Sequence, residues 1–222
     1  MRDTRIVFVE GVLGAGKSTT VARIVQHLGD AGVSAQRVSE GDERLRVAAQ
    51  LAHGYTPWLD LSVHQYIARC RKNWNAFVSA QRDTQSITVC DGLLFHGNLT
   101  DLVLMDADSA TIASYYEEML AVLAPLRPSL IYLRMRDITR AIRDICVERG
   151  KSWEDRQVNW KVDSPFGHAR HLHGVDGLAR LYEHFAKTCD ALVAGADLPM
   201  LRLADDRSWS ERERTIFDWL GA

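Results

Sequence analysis

The sequence predicts an α/β fold of three layers, a five-stranded parallel sheet between helices with a helical or irregular lid, and three observations carry that expectation. Ile6-Val7-Phe8-Val9 is a short, β-branched apolar run of the kind that forms a buried strand. It leads directly into Gly11-x-x-x-x-Gly16-Lys17-Ser18, which is followed by apolar residues at the helical spacing Val21, Ile24, Val25 and Leu28. Further strand-like runs alternate with helical stretches, the pattern of a parallel sheet covered on both faces. Strand, glycine loop and helix in this order make a phosphate-binding P-loop, so the fold class is the three-layer P-loop NTPase.

The elements follow in order. Gly29 to Gly32 ends the first helix, and Ser34 to Ser39 is a short second strand ending at Glu40. Asp42 caps a helix expected to reach about Leu51, His53 to Pro57 is a loop, and Asp60 to Arg82 reads as a long helix. Ile87-Thr88-Val89-Cys90-Asp91 is the third strand, apolar apart from Thr88 and ending in an acid. One or two helices occupy Gly97 to Leu123, broken near Asp106, Asp108 and Ser109. Pro125 and Pro128 bracket the turn into Leu130-Ile131-Tyr132-Leu133, the fourth strand, and an arginine-rich helix runs from Asp137 to Glu148. Lys151 to Gly174 has little apolar periodicity and is expected to be irregular, polar and mobile, so 137–174 forms the lid. A helix at Val175 to Leu192 and a fifth strand at Pro199 to Leu203 follow. Ser210-Glu211-Arg212-Glu213 reads as the capping box of a final helix.

The 222 residues suit one domain, 1–222, with a substantial core. A net charge of −2 gives no basic excess that would mark a nucleic-acid surface. No apolar run is long enough to span a membrane, and the first strand follows Met1-Arg2-Asp3 too closely for a signal peptide. Cys70, Cys90, Cys146 and Cys189 form no CxxC pair and read as reduced thilols of a cytoplasmic protein. The expected partner is a small-molecule phosphate acceptor, with a homodimer as the assembly to consider; neither nucleic acid nor a membrane is expected.

The P-loop residues specify a ligand. Gly11, Gly14, Ala15 and Gly16 let backbone amides approach a polyphosphate, and the helix beginning at Lys17, Ser18 and Thr19 adds fixed positive partial charge. Lys17 is the cation for the β- and γ-phosphates and Ser18 a ligand for Mg²⁺, which specifies a nucleoside triphosphate; ATP, with Mg²⁺, is the expected cofactor, and the motif leaves another triphosphate donor open. In a parallel sheet the site lies beyond the carboxyl ends of the strands. That rule gathers Glu10, Glu40, Asp91 and the arginines after the fourth strand. There is no N-K-x-D sequence, and Asp91 is followed by Gly92 where a hydrolysing ATPase usually carries a water-activating Glu. This favours transfer to a bound acceptor over hydrolysis. Asp91 is a candidate metal ligand. Arg140, Arg143, Arg149 and Lys151 are candidate charge-neutralising groups or a solvated face. Glu40 is a candidate general base or a solvated strand-end acid. Tyr55, Trp58, Tyr66, Trp74 and Phe95 could stack on a planar acceptor or fill the core. His168, His171 and His173 lack a neighbouring cysteine and fit a polar lid better than a zinc site.

Val9-Glu10-Gly11-Val12-Leu13-Gly14-Ala15-Gly16-Lys17-Ser18-Thr19 resembles the P-loop of the deoxynucleoside kinases and thymidylate kinases, with Val12 where Asn is usual. Ser39-Glu40 resembles the segment whose Glu is the base on the sugar hydroxyl. Val63-His64-Gln65-Tyr66 resembles the segment whose Gln reads the base, and Arg149-Gly150-Lys151 resembles the basic lid. The resemblance implies ATP-dependent transfer to a nucleoside, nucleotide or nucleoside-like acceptor. Taken with the residue-based readings above, the catalytic candidates are Lys17, Glu40, Asp91, Arg143 and Arg149, and the acceptor candidates are Glu40, Gln65, Trp58 and Tyr66. The loop from Ala204 to Trp209 would lie at the adenine. These kinases carry an acid–Arg pair after the third strand, whereas this chain has Asp91-Gly92. That departure opens other acceptors, among them an antibiotic or natural product, and keeps in view an ATP-binding regulatory protein and a nucleic-acid kinase.

Overall fold

A computed structural model describes residues 4–205 and 208–221. Five strands, β1 (Ile6–Gly11), β2 (Ala35–Ser39), β3 (Ile87–Asp91), β4 (Pro128–Arg134) and β5 (Met200–Ala204), pair in parallel in the order β2-β3-β1-β4-β5. The central position of β1 explains its composition: both neighbours and both faces are covered, so all six residues are buried. Helix α1 (Lys17–Asp30) packs on β1, β2 and β3 and against α9 (Trp209–Leu220). On the third layer, Trp74 of α2 (Val63–Gln81) meets Phe8 edge-on at 6.1 Å, and Tyr132 donates to Asp190 of α8 (Gly174–Gly195) at 2.9 Å. Between these lie α3 (Asn98–Leu104) and α4 (Ser109–Leu123), the latter packed on α2 and α8.

The strands and long helices agree with the sequence to within a few residues, and three segments differ. Residues 42–51 form turns and a short 3₁₀ helix at Ala48–Gln50 rather than an α-helix. Asn98 takes backbone groups that a helix would have used, donating to the Leu45 carbonyl at 3.1 Å and accepting from the Val47 amide at 3.4 Å. The second difference is 151–174, which is helical and packed. After α5 (Ile138–Arg149) come α6 (Lys151–Lys161) and α7 (Pro165–Ala169). The segment shows no apolar stripe because α6 turns a mixed face inward, with Trp153, Trp160 and Val158 half-buried and Lys161 buried. Val162, Phe166 and Leu172 then anchor the following turns in the core. Third, the final capping box sits two residues earlier than expected. Ser208 accepts from the Glu211 amide at 3.3 Å, and its own amide donates to the Glu211 carboxylate at 2.8 Å. All four cysteines are free and buried.

Candidate active site

The P-loop leaves β1 at its carboxyl end, where two chain positions tolerate only glycine. A Cβ on Gly11 would come within 2.5 Å of the Leu133 carbonyl oxygen on β4. Gly16, immediately before α1, has φ +88°. The loop is closed by the Ala15 amide donating to the Val12 carbonyl at 3.2 Å. Lys17 opens α1 and folds back over the loop, its Nζ donating to the Gly11 and Val12 carbonyls at 3.1 and 3.0 Å. Burial lowers its pKa, against the pull of the Glu40, Glu10 and Asp91 carboxylates.

A crevice of about 380 Å³ begins at Gly14, Gly16, Lys17, Ser18 and Thr19. Glu40, just past β2, lines it as well. Gly92 explains how Glu40 and Lys17 come together. It has φ +67°, and a Cβ built on it would lie 3.0 Å from Lys17 Cε and 3.4 Å from Glu40 Oε2. The lysine and the carboxylate therefore flank one backbone position, and Lys17 occupies the direction a side chain at 92 would take.

The remaining sequence candidates divide. Arg149, at the end of α5, lines the crevice together with Glu148, and their charged groups lie 3.8 Å apart. Arg143 is exposed and paired with Asp176 of α8 at 2.8 Å, and Lys151 is paired with Glu154 and Asp155 at 2.7 and 2.6 Å. Neither lines the crevice. Asp91 is buried, bound by Arg37 at 2.5 Å, and also lies outside the lining. Glu10 accepts the Leu94 amide at 2.6 Å; its other oxygen is buried without a partner, and burial pushes its pKa up to about 8.

Three residues assigned to the acceptor are placed elsewhere. Gln65 completes the capping box of α2 with Ser62, so its carbonyl oxygen accepts the Ser62 amide at 2.9 Å. Tyr66 is buried and donates to Asp101 at 2.6 Å. Trp58 sits in a 3₁₀ turn, Pro57–Leu59, half-buried against the core. Trp74 and Phe95 are core residues. His168, His171 and His173 are exposed, and among the described residues no group of three or more His, Cys, Asp or Glu is placed to hold a metal. In the loop after β5, Asp206 and Arg207 lie outside the described residues. Trp209 borders the P-loop, its ring 3.5 Å from where a Gly16 Cβ would stand.

The structure adds lining residues that sequence reasoning missed: Arg46, His96, Trp153, Gln157, Trp160, Lys161 and Tyr182. One signal was available. Trp153, Gln157, Trp160 and Lys161 recur at spacings of four, three and one, which is a single helix face. Arg46 is buried, 3.4 Å from Asp101, with its guanidinium 5.1 Å from the Tyr55 ring centroid and 5.7 Å from that of Trp160. Lys161 is buried with its Nζ 3.5 Å from the Trp160 ring and donating to Gln157 at 2.6 Å. Desolvation, with Arg46 beside it, lowers its pKa to about 7. His96 is buried beside Tyr182 and Phe185; desolvation holds its pKa well below the usual histidine range, and neither ring nitrogen has a hydrogen-bond partner.

These groups fit a polyphosphate and Mg²⁺. The loop amides and Lys17 present a cationic cradle, and Ser18 is exposed on the first turn of α1, open to a metal ion. Among the described residues, no helix is long and apolar enough to cross a membrane.

No family model matches the sequence, and no curated protein matches it. Solved structures do match. A thymidylate kinase from Candida albicans superposes with a TM-score of 0.56 at 14% identity, over 99% of this chain and 92% of that one. A deoxyadenosine kinase from M. mycoides, solved with dCMP and dCDP, gives 0.54 at 17% identity over 97% and 98% of the two chains. The same kinase with bound dATP gives 0.53 at 18% identity, over 98% and 100%. The chain thus has the three-layer α/β fold that these P-loop kinases share.

Proposed function

We propose that the chain is an ATP-dependent phosphotransferase that moves the γ-phosphoryl group of ATP to an oxygen of a small molecule, with a nucleoside, nucleotide or nucleoside-like compound as acceptor. The observation that carries this reading is the pairing of Lys17 and Glu40 across Gly92 in the crevice that the P-loop opens. A cation for the polyphosphate and a carboxylate for the acceptor's proton stand on either side of one point. The likeness in fold to thymidylate and deoxyadenosine kinases supports it.

In this reading the loop amides and the α1 N-terminus cradle the phosphates, and Lys17 leaves the Gly11 and Val12 carbonyls to meet the β- and γ-phosphates. Mg²⁺ bound at Ser18 would neutralise phosphate charge. The acceptor oxygen forms a bond to the γ-phosphorus as the bond from that phosphorus to the β–γ bridging oxygen breaks, and ADP leaves with the bridging oxygen. Where the acceptor is a hydroxyl, Glu40 takes its proton. Arg149 is positioned to neutralise charge on the transferring group, whereas Arg143 is held outside by Asp176. Asp91, tied to Arg37, buttresses the end of β3 and leaves the metal to Ser18. Residues 137–174, comprising α5, α6 and α7, act as the lid. With α6 over the crevice, water is kept from the γ-phosphate.

The test is incubation of the protein with γ-labelled ATP and Mg²⁺ against a panel of nucleosides, nucleotides and nucleoside-like natural products. Label appearing in an organic product supports the proposal. Rapid release of label as free phosphate, with none transferred across the panel, contradicts it.

A further inference from the structure

We infer that the acceptor carries a phosphate group, and that Arg46 and Lys161 hold it. The inference deepens the phosphotransferase reading and rests on it. Burying a cation is costly unless an anion or a full set of hydrogen bonds compensates. Arg46 and Lys161 are both buried and both line the crevice, yet their compensation is incomplete. Asp101 is the carboxylate paired with Arg46, at 3.4 Å, and its other oxygen is already taken by the Tyr66 hydroxyl at 2.6 Å. Burial also pushes the Asp101 pKa up, which weakens it as a counter-charge. Arg46 Nε has no hydrogen-bond partner. Lys161 has the neutral Gln157 oxygen and the face of Trp160; the Glu40 and Asp101 carboxylates act on it only from beyond ion-pair distance. Aromatic rings hold both cations in place: Tyr55 and Trp160 flank Arg46, and Trp160 and Tyr182 flank Lys161. His96 adds two unpartnered ring nitrogens to the same wall.

A cationic site so built is completed by an anion brought by a ligand. The donor polyphosphate already has Lys17, the loop amides and Arg149. Arg46 belongs to a different framework: it follows Glu40 in the chain and is fastened through Asp101 and Tyr66 to α3 and α2. A guanidinium fork and an ammonium are the pair of donors that suits a phosphate, which offers three terminal oxygens and about two negative charges. Such a dianion would also restore the proton that Lys161 tends to lose beside Arg46.

The smallest probe is inorganic phosphate, titrated into protein saturated with AMPPNP·Mg and followed by its ³¹P NMR resonance. Saturable broadening or shift is expected, and K161M and R46Q should each weaken it about tenfold or more while AMPPNP affinity stays within about threefold. R46K, which keeps the charge and loses the fork, provides a second reading if R46Q folds poorly. Phosphate that does not bind, or binds the K161M protein equally well, overturns the inference. A parallel loss of AMPPNP affinity also overturns it, because the two cations would then serve the donor. Failure of AMPPNP to bind the wild-type chain would instead count against the phosphotransferase reading itself. Paired nucleosides and nucleoside monophosphates then identify the compound: tighter binding of the phosphorylated member is expected, and equal binding of both overturns the inference. Product ³¹P spectra separate a diphosphate, with mutually coupled signals, from a bisphosphate with two independent ones; either supports the inference, and a product made only from unphosphorylated acceptors overturns it.

Discussion

Residues 6–20 bring one side of the crevice in a single continuous stretch, whereas Arg46, His96, Trp160, Lys161 and Tyr182 reach the other side from four separate segments. The continuous side closes on itself: Lys17 Nζ rests on the Gly11 and Val12 carbonyls, and Ala15 ties the loop at Val12. The assembled side keeps open valences at Arg46 Nε and both His96 nitrogens. Any nucleoside triphosphate presents the same phosphates, so a local motif suffices for it. An acceptor of particular shape needs groups that only the tertiary fold can converge. Unsatisfied buried polar atoms are costly; Glu10 Oε2 is one on the continuous stretch, but those of the crevice lining belong to Arg46, His96, Trp160 and Tyr182, where a ligand would supply the missing partners.

The largest effect should come from breaking the continuous side. K17A is expected to lower transfer at least ~10³-fold, comparable to losing a major electrostatic contact to a transition state, while thermal unfolding stays near wild type. Full activity in K17A would displace the donor site. E40Q acts where the two sides meet. It should lower kcat by ~10²–10⁴-fold with ATP binding retained, provided the acceptor is a hydroxyl. An unchanged kcat with a hydroxyl acceptor would remove Glu40 from the proton transfer.

The assembled side is sharpened by pH. Lys161 has its pKa lowered to about 7 by burial and by Arg46, with Lys17 acting in the same direction and Glu40 and Asp101 opposing. Trp160, Gln157 and Tyr182 supply its uncharged surroundings. Above pH 7 the free protein loses this proton, and an anion that requires the ammonium must recover it. Above about pH 8, where phosphate is already a dianion, its affinity should therefore fall with rising pH by up to about tenfold per unit, and K161M should lack that fall. Stability runs in the opposite sense. The unfolded lysine keeps its proton up to its ordinary pKa of 10.5, so wild-type stability should rise relative to K161M from pH 7 towards 10.5, as measured by denaturant titration at a series of pH values.

Smaller effects separate packing from charge. G92A places a β-carbon at φ +67° and 3.0 Å from Lys17 Cε, and should cost about 1–3 kcal/mol while disturbing the lysine. Calorimetry and kcat measured on the same sample would check both parts. R143A and R149A form the last comparison. Arg143 is in an exposed ion pair with Asp176, so R143A should leave the Tm within about 2 °C and kcat nearly unchanged. R149A, which alters the crevice lining, should lower kcat/KM more than R143A does.

These contrasts show what a sequence can disclose. The P-loop was legible because strand, loop and helix are adjacent, and each residue type follows from local backbone geometry. The position of Glu40 at the crevice was legible from its place after β2, and the parallel sheet from alternating strands and helices. Gln65 and Tyr66 lie away from the crevice because they are held by contacts that spacing does not reveal. The Ser62 cap claims Gln65, and buried Asp101 claims Tyr66. Lys161 was overlooked because 151–174 carries a mixed inner face, which hides a helix from any search for an apolar stripe. Arg46 was hidden in a stretch where Asn98, distant in sequence, overrides local helical preference.

The central claim is that one crevice joins a P-loop donor site to an anion-binding acceptor site at Glu40. A crystal structure with AMPPNP·Mg and a phosphorylated acceptor tests it most directly. The polyphosphate is expected along Gly14 to Thr19, the acceptor's phosphate between Arg46 and Lys161, and the attacking oxygen within about 3–3.5 Å of the γ-phosphorus. A γ-phosphate held by Arg46 and Lys161 themselves, with the acceptor bound outside this crevice, would contradict it.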